Sequence, residues 1–164
     1  MNVTVITGGA GFVGSWLGIL RKRDFPGERV VAFDDLSRAG SELNLPRLAA
    51  AGVEFARGDV RRPEDLEALG HADLVIDCAA EPSVKAGYGG GARALIDINL
   101  GGTLNCLEFA RARGARLVFL STSRVYPIAA MRDLPFEEGA TRLELPGAAS
   151  GTGWSARGIS ADFP

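Results

Sequence analysis

Val3-Thr4-Val5-Ile6-Thr7-Gly8-Gly9-Ala10-Gly11-Phe12-Val13-Gly14-Ser15 decides how the rest of this chain is read. Val3, Thr4, Val5 and Ile6 form a short, mostly β-branched run bounded by glycines, the pattern of a buried strand in a parallel sheet. Gly8, Gly11 and Gly14 then recur at every third position, and Gly9, Gly11 and Gly14 also match G-x-G-x-x-G. From Phe12 to Asp24 the apolar positions Phe12, Trp16, Leu17 and Leu20 follow helical spacing. A glycine-rich turn therefore joins a strand to a helix N-terminus. Unpaired backbone N–H groups and the positive end of the helix dipole meet there, and an anion suits the spot.

Working outward, Arg29-Val30-Val31-Ala32-Phe33 reads as a second strand, ending at Asp34. Asp34 stands twenty residues after Gly14, where a dinucleotide fold places an acid on the adenosine ribose. A β–turn–helix that uses glycine only for its corner would share the first part of this pattern. Strand, turn, helix and acid in register go further, and they point to a dinucleotide. An acid at Asp34 accepts from a ribose 2′-OH and repels a 2′-phosphate, so NAD is expected over NADP. Arg38 could pair with a 2′-phosphate and argues the other way.

Thr7-Gly8-Gly9-Ala10-Gly11-Phe12-Val13-Gly14-Ser15, with Asp34-Asp35-Leu36-Ser37-Arg38, resembles the extended short-chain dehydrogenase/reductases. These are the NAD-dependent nucleotide-sugar epimerases and dehydratases, and the CDP-paratose/CDP-tyvelose 2-epimerase type is the look-alike. The resemblance runs over nearly the whole chain. It implies NAD as cofactor, an NDP-sugar as substrate, and cofactor contacts from Gly8, Gly11, Phe12, Val13, Gly14, Asp34, Asp35, Ser37 and Arg38.

At 164 residues the chain is one domain by length and can bury a sizeable core. Its 46% apolar and 23% charged fractions are those of a globular protein, and a net charge of −2 suggests neither nucleic acid nor a polybasic membrane patch. No apolar run is long enough to span a bilayer. A strand starting within two residues of Met1 leaves no room for a signal peptide, so a cytoplasmic protein is expected. Cys78 and Cys106 lie in apolar stretches without metal spacing and read as reduced, buried small hydrophobes.

Strand and helix patterns alternate onward: a helix from Ser41 to about Ala51 interrupted by Pro46, and a strand Val53–Arg57. A helix Arg62–Leu69, a strand Leu74–Cys78, a glycine-rich loop from Glu81 to Gly91, a long helix from Ala92 to about Arg113 and a strand Arg116–Leu120 follow. This order predicts an α/β, Rossmann-type, doubly wound parallel sheet. The resemblance implies five strands in the order 3-2-1-4-5, with ligands outside the carboxyl ends of strands 1 and 4. Residues 1–126 are expected to be the NAD-binding domain. Residues 127–164 carry four prolines and five glycines and no periodic element. They read as an irregular tail leading toward a missing C-terminal lobe. Its exposed apolar groups would suit a homo-oligomer.

The resemblance assigns further roles. Asp59-Val60 would contact the adenine, although Asp59 also suits a helix N-cap. Ala79-Ala80, within Ala79–Val84, would let the nicotinamide ribose approach the backbone, although small residues suit a plain tight turn too. Asn99 matches a family position near the cofactor, and a helix–loop hydrogen bond is its structural alternative. In Ser121-Thr122-Ser123-Arg124-Val125-Tyr126, Thr122 falls on the catalytic Ser/Thr that bonds the reacting hydroxyl or carbonyl of the sugar. A hydroxyl satisfying local backbone is its alternative.

One family element is missing. The family's base is a Tyr with a Lys four residues later. Tyr126 is followed at that spacing by Ala130 and Tyr88 by Ala92, and no lysine follows Lys85. An unassisted tyrosine has a pKa near ~10 and stays neutral at pH 7. Two readings follow: the NAD-binding part of a nucleotide-sugar epimerase or dehydratase, inactive as written, or a non-catalytic dinucleotide-binding module acting through assembly.

Overall fold

The structure is a computed structural model describing residues 2–83, 86, 88, 91–122 and 125–164. Val84, Lys85, Ser123 and Arg124, which belong to segments singled out above, lie outside the described residues, as do Gly87, Gly89 and Gly90 of the glycine-rich loop. The chain divides into two compact units, Met1–Leu120 and Ser121–Pro164.

In the first unit β1 (Val3–Thr7) is the central strand, flanked by β2 (Arg29–Asp34) and β4 (Leu74–Asp77). β3 (Glu54–Arg57) and β5 (Arg116–Phe119) are the outer strands. All pairings are parallel and the order is β3-β2-β1-β4-β5, as expected. Val5 pairs with Val31 on one side and Val75 on the other. Every residue of β1 is buried, as a strand covered on both faces requires.

The helices fill the two faces. Leu17 and Ile19 of α1 (Phe12–Asp24) and Leu48 of α2 (Leu45–Ala50) pack with Ile6, Val30 and Ala32. Leu66 of α3 (Pro63–Glu67) and Cys106, Phe109 and Ala110 of α5 (Thr103–Arg113) pack with Val3, Val5, Val31, Phe33 and Val75. Each fully buried Val, Leu or Ile contributes about 1.5–3 kcal/mol, so these two clusters hold the helices against the two faces of the sheet.

Two helices differ from expectation. The segment from Ser41 is a 3₁₀ turn, Ser41–Asn44, followed by α2. Pro46 has no N–H to donate and is tolerated in a first turn, so the α-helix starts around it. The long helix is α4 (Ala92–Ile96), a π turn at Asp97–Gly102, then α5. The paired glycines Gly101 and Gly102 sit in the wider turn.

The second unit has α6 (Ile128–Arg132), a hairpin of β6 (Glu137–Glu138) and β7 (Leu143–Glu144), and a three-stranded antiparallel sheet. The latter joins β8 (Ser150–Gly151), β9 (Trp154–Ser155) and β10 (Gly158–Ile159). Strands of two residues carry no readable period, which is why the sequence offers none. Leu134 is the only buried residue of this unit among those described.

Candidate functional site

Parallel strands send all their carboxyl ends to one edge of the sheet. There the first unit opens a cavity of about 800 Å³. Gly8, Gly11, Phe12, Val13 and Gly14 line it from the turn after β1, and Asp34, Asp35, Ser37 and Arg38 from the loop after β2. Asp59 and Val60 after β3, and Ala79 and Ala80 after β4, complete the set. Asn99, in the π turn Asp97–Gly102, is not among the lining residues but bonds Glu81, which is. Thr122 belongs to the second unit.

The glycine-rich turn is built for close approach. Gly8 has φ +60°, and a side chain there would lie 2.7 Å from the Cys78 carbonyl oxygen. A Cβ on Gly14 would run into the Gly8 carbonyl, so α1 begins directly on the turn. Gly11 is the N-cap, no side chain caps the helix, and its first turn holds no acid. The first intrahelical bond there runs from the Ser15 amide to Gly11 O, 3.1 Å. The amides of Phe12, Val13 and Gly14 precede it without helical acceptors. Their N–H groups and the dipole suit a pyrophosphate at the cavity wall.

Asp34 joins this turn to the next loop. Its Oδ2 accepts from the Ala10 amide at 3.0 Å and its Oδ1 from the Leu36 amide at 2.9 Å. Asn44 Nδ2 donates to the Ala10 carbonyl at 2.7 Å, so both sides of Ala10 are held. Leu36 has φ 59°, the only left-handed non-glycine residue among those described. Asp35 Oδ1 accepts from the Ser37 amide at 2.9 Å. Two successive Asx turns thus shape the Asp34–Arg38 loop against the cost of that φ. Each carboxylate oxygen has two lone pairs, so Asp34 keeps acceptor capacity toward the cavity.

Asp59 does not cap α3, whose N-cap is Arg62. It makes an Asx turn with the Arg61 amide at 2.9 Å and takes Arg61 Nε on both oxygens, at 2.9 and 2.8 Å. The Arg61 guanidinium bonded to it holds the Asp59 carboxyl below the usual range, against a smaller opposing effect of burial. Arg61 also stands 3.7 Å from Asp35.

Below the floor near β4, Asp77 is 1% exposed. It accepts from Thr7 Oγ1 at 2.6 Å, Thr103 Oγ1 at 3.0 Å and the Ala79 amide at 3.2 Å. One carboxylate thereby ties β1, the loop after β4 and α5. Asn99 brackets the Glu81 peptide, accepting from its amide at 2.8 Å and donating to its carbonyl at 3.4 Å. This is the helix–loop bond. Burial, with the Asp77 charge adding, pushes the Cys78 and Cys106 thiols up to about 12. Both are free cysteines.

Asn44, Arg61 and Asp77 were missed in the sequence. Asp77 could have been found as a charge inside an apolar strand, which must be paired if buried. Among the described residues no group of His, Cys, Asp and Glu is placed to hold a metal. No helix there is long and apolar enough to cross a membrane. The uncapped helix end, the close-packed glycines and the acid at the end of β2 fit a dinucleotide.

Comparison with known proteins agrees. CDP-paratose 2-epimerase of Salmonella typhi is 34% identical over 128 residues, covering 74% of this chain and 37% of that protein. The crystal structure of Helicobacter pylori ADP-L-glycero-D-manno-heptose-6-epimerase superimposes with a TM-score of 0.66 at 30% identity, over 76% of this chain and 40% of that one. UDP-glucose-4-epimerase from Stenotrophomonas maltophila, solved with bound NAD and formylated UDP-arabinopyranose, gives 0.64 at 30% identity, over 77% and 38%. The chain thus spans about two fifths of the length of these relatives. The profile of the NAD dependent epimerase/dehydratase family matches residues 4–150, and the chain belongs to that family.

Proposed function

We propose that this chain is the NAD-binding part of a nucleotide-sugar epimerase or dehydratase and that these 164 residues do not turn over by themselves. The observation that carries the first half is the meeting of the uncapped α1 N-terminus with Asp34 at one cavity. Phe12, Val13 and Gly14 offer amides to the pyrophosphate, and Asp34 accepts from the adenosine ribose. Asp59 and Val60 face the base, and Ala79 and Ala80 leave room for the nicotinamide ribose. Bound NAD supplies hydride acceptance and return at a sugar carbon. Thr122 is the side chain proposed to hydrogen-bond the reacting hydroxyl or carbonyl of an NDP-sugar. The second half rests on the missing Tyr-x-x-x-Lys.

That absence also favours a second reading, a non-catalytic dinucleotide-binding module acting through assembly. Sequencing the coding region beyond Pro164 separates the two, since a continuation with Tyr-x-x-x-Lys supports the first. Calorimetric titration tests the shared core: saturable NAD binding, tighter than NADP, is expected. Tighter NADP binding, or none of NAD, sinks it. Turnover of CDP-, UDP- or GDP-sugars by the pure chain with NAD would refute the inactivity.

A further inference from the structure

We propose that Arg61 sets the base preference of the cavity, by holding the Asp59 carboxylate in the orientation that accepts from an exocyclic amino group. This rests on the dinucleotide reading above. Phe33, Gly58 and Val60 form an apolar wall at the β2–β3 end of the cavity, and Asp35 and Asp59 stand beside it. An apolar slot with a fixed anionic acceptor suits a flat ring bearing an N–H donor on its edge. The 6-amino group of adenine is such a donor. The 6-oxo group of hypoxanthine would set acceptor against acceptor.

A lone carboxylate turns freely about its last torsion, since that torsion is broad. Here Arg61 removes the freedom. Its single Nε hydrogen is shared between both Asp59 oxygens, its second guanidinium nitrogen reaches Oδ2 at 2.5 Å, and its amide bonds Oδ1, so three hydrogens occupy the carboxylate and acceptor capacity remains. The Asp59 side chain is 18% exposed, so little water competes for it. Arg61 does not line the cavity. It is a positioning residue acting through Asp59, and its planar fork is what a lysine cannot reproduce.

The test is calorimetric titration of the chain with NAD and with nicotinamide hypoxanthine dinucleotide. The wild type should prefer NAD by about tenfold or more, the scale of one hydrogen bond to a charged group. Arg61→Met should bring the ratio near one, by weakening NAD and leaving the hypoxanthine analogue within about twofold. Arg61→Lys should recover part of the ratio. In an Asp59→Ala background, Arg61→Met should change it no further. A merely structural role for Arg61 would weaken both dinucleotides alike. An unchanged ratio in Arg61→Met, or no preference in the wild type, overturns the proposal. Failure of the wild type to bind either dinucleotide overturns the proposed function itself.

Discussion

Asp34 Oδ2 accepts the Ala10 amide at 3.0 Å, tying the end of β2 to the turn that follows β1. The acid expected to read the ribose therefore also shapes the phosphate-binding turn. Asp34→Ala should lose a ligand and loosen that turn together. A charge-assisted hydrogen bond is worth about 1.5–3 kcal/mol, so NAD affinity should fall roughly tenfold to a hundredfold. NADP should lose less, because the carboxylate no longer repels its 2′-phosphate. Paired titrations with the two cofactors check this, and an unaltered NAD/NADP ratio would refute it.

Gly14 sits where a Cβ would strike the Gly8 carbonyl oxygen. Backbone cannot swing aside as a side chain can. Gly14→Ala should destabilise the chain by about 2 kcal/mol, in the range for overpacking, and lower the thermal midpoint by about 4–8 °C. Gly27, with nothing within 4 Å of a built Cβ, is the control. Gly27→Ala should leave the midpoint within about a degree or two. Differential scanning calorimetry of both variants decides.

The first 120 residues were largely legible because their signals are local. β1, the turn and α1 are declared by β-branched runs and glycine spacing, and Asp34 by its distance from Gly14. The parallel, doubly wound sheet follows from the alternation of elements, and the strand order from the resemblance alone. What stayed hidden depends on tertiary contact. Arg61 reads as one more charge after Asp59 until its guanidinium is seen on that carboxylate. The π turn hides within a helical pattern, since a single wider turn between two α-helical segments is too short to show a period of its own. For Asn99 the sequence offers both a position near the cofactor and a helix–loop hydrogen bond, and the bond to Glu81 becomes visible only in the fold.

Glu28 is 6% exposed and carries two partners, the Arg21 guanidinium and Thr4 Oγ1 at 2.9 Å. Burial pushes its pKa up most strongly, but the bonds from Arg21 and Thr4 together outweigh burial and hold it below the usual carboxylate value. A depressed folded pKa means the stabilisation is present above the unfolded value, near ~4.3, and is lost as pH falls through the folded one. Glu28→Gln should cost about 3 kcal/mol at pH 7, because it leaves the Arg21 charge unpaired. The variant should also lose stability less steeply than the wild type below about pH 4.5. Urea unfolding between neutral and acidic pH measures both, and parallel curves would exclude the pairing as a source of acid sensitivity.

Residues 125–164 should exchange their amide hydrogens faster than β1, β2 and β4. The reasoning starts from strand length. β6 to β10 are two residues each, so few of their amides lie in a ladder closed on both sides. Burial is equally thin, with Leu134 alone buried among the described residues of the unit. Leu143, Phe136 and Ile128 are 62%, 39% and 65% exposed, so their apolar surface contributes little to holding the segment closed. The tie between its ends is Tyr126, whose ring meets Phe163 edge-on at 5.8 Å and whose hydroxyl donates to the Ser160 carbonyl at 3.2 Å. One aromatic pair and one exposed hydrogen bond are worth about 1–2 kcal/mol, far below what the buried core of the five-stranded sheet supplies. Amides of the segment should therefore open locally, without global unfolding. Phe163→Ala should speed exchange across Tyr126–Ser160 and leave β1 unchanged. Slow exchange throughout 127–164 in a demonstrated monomer would mean that the segment packs adequately on its own and would overturn this account.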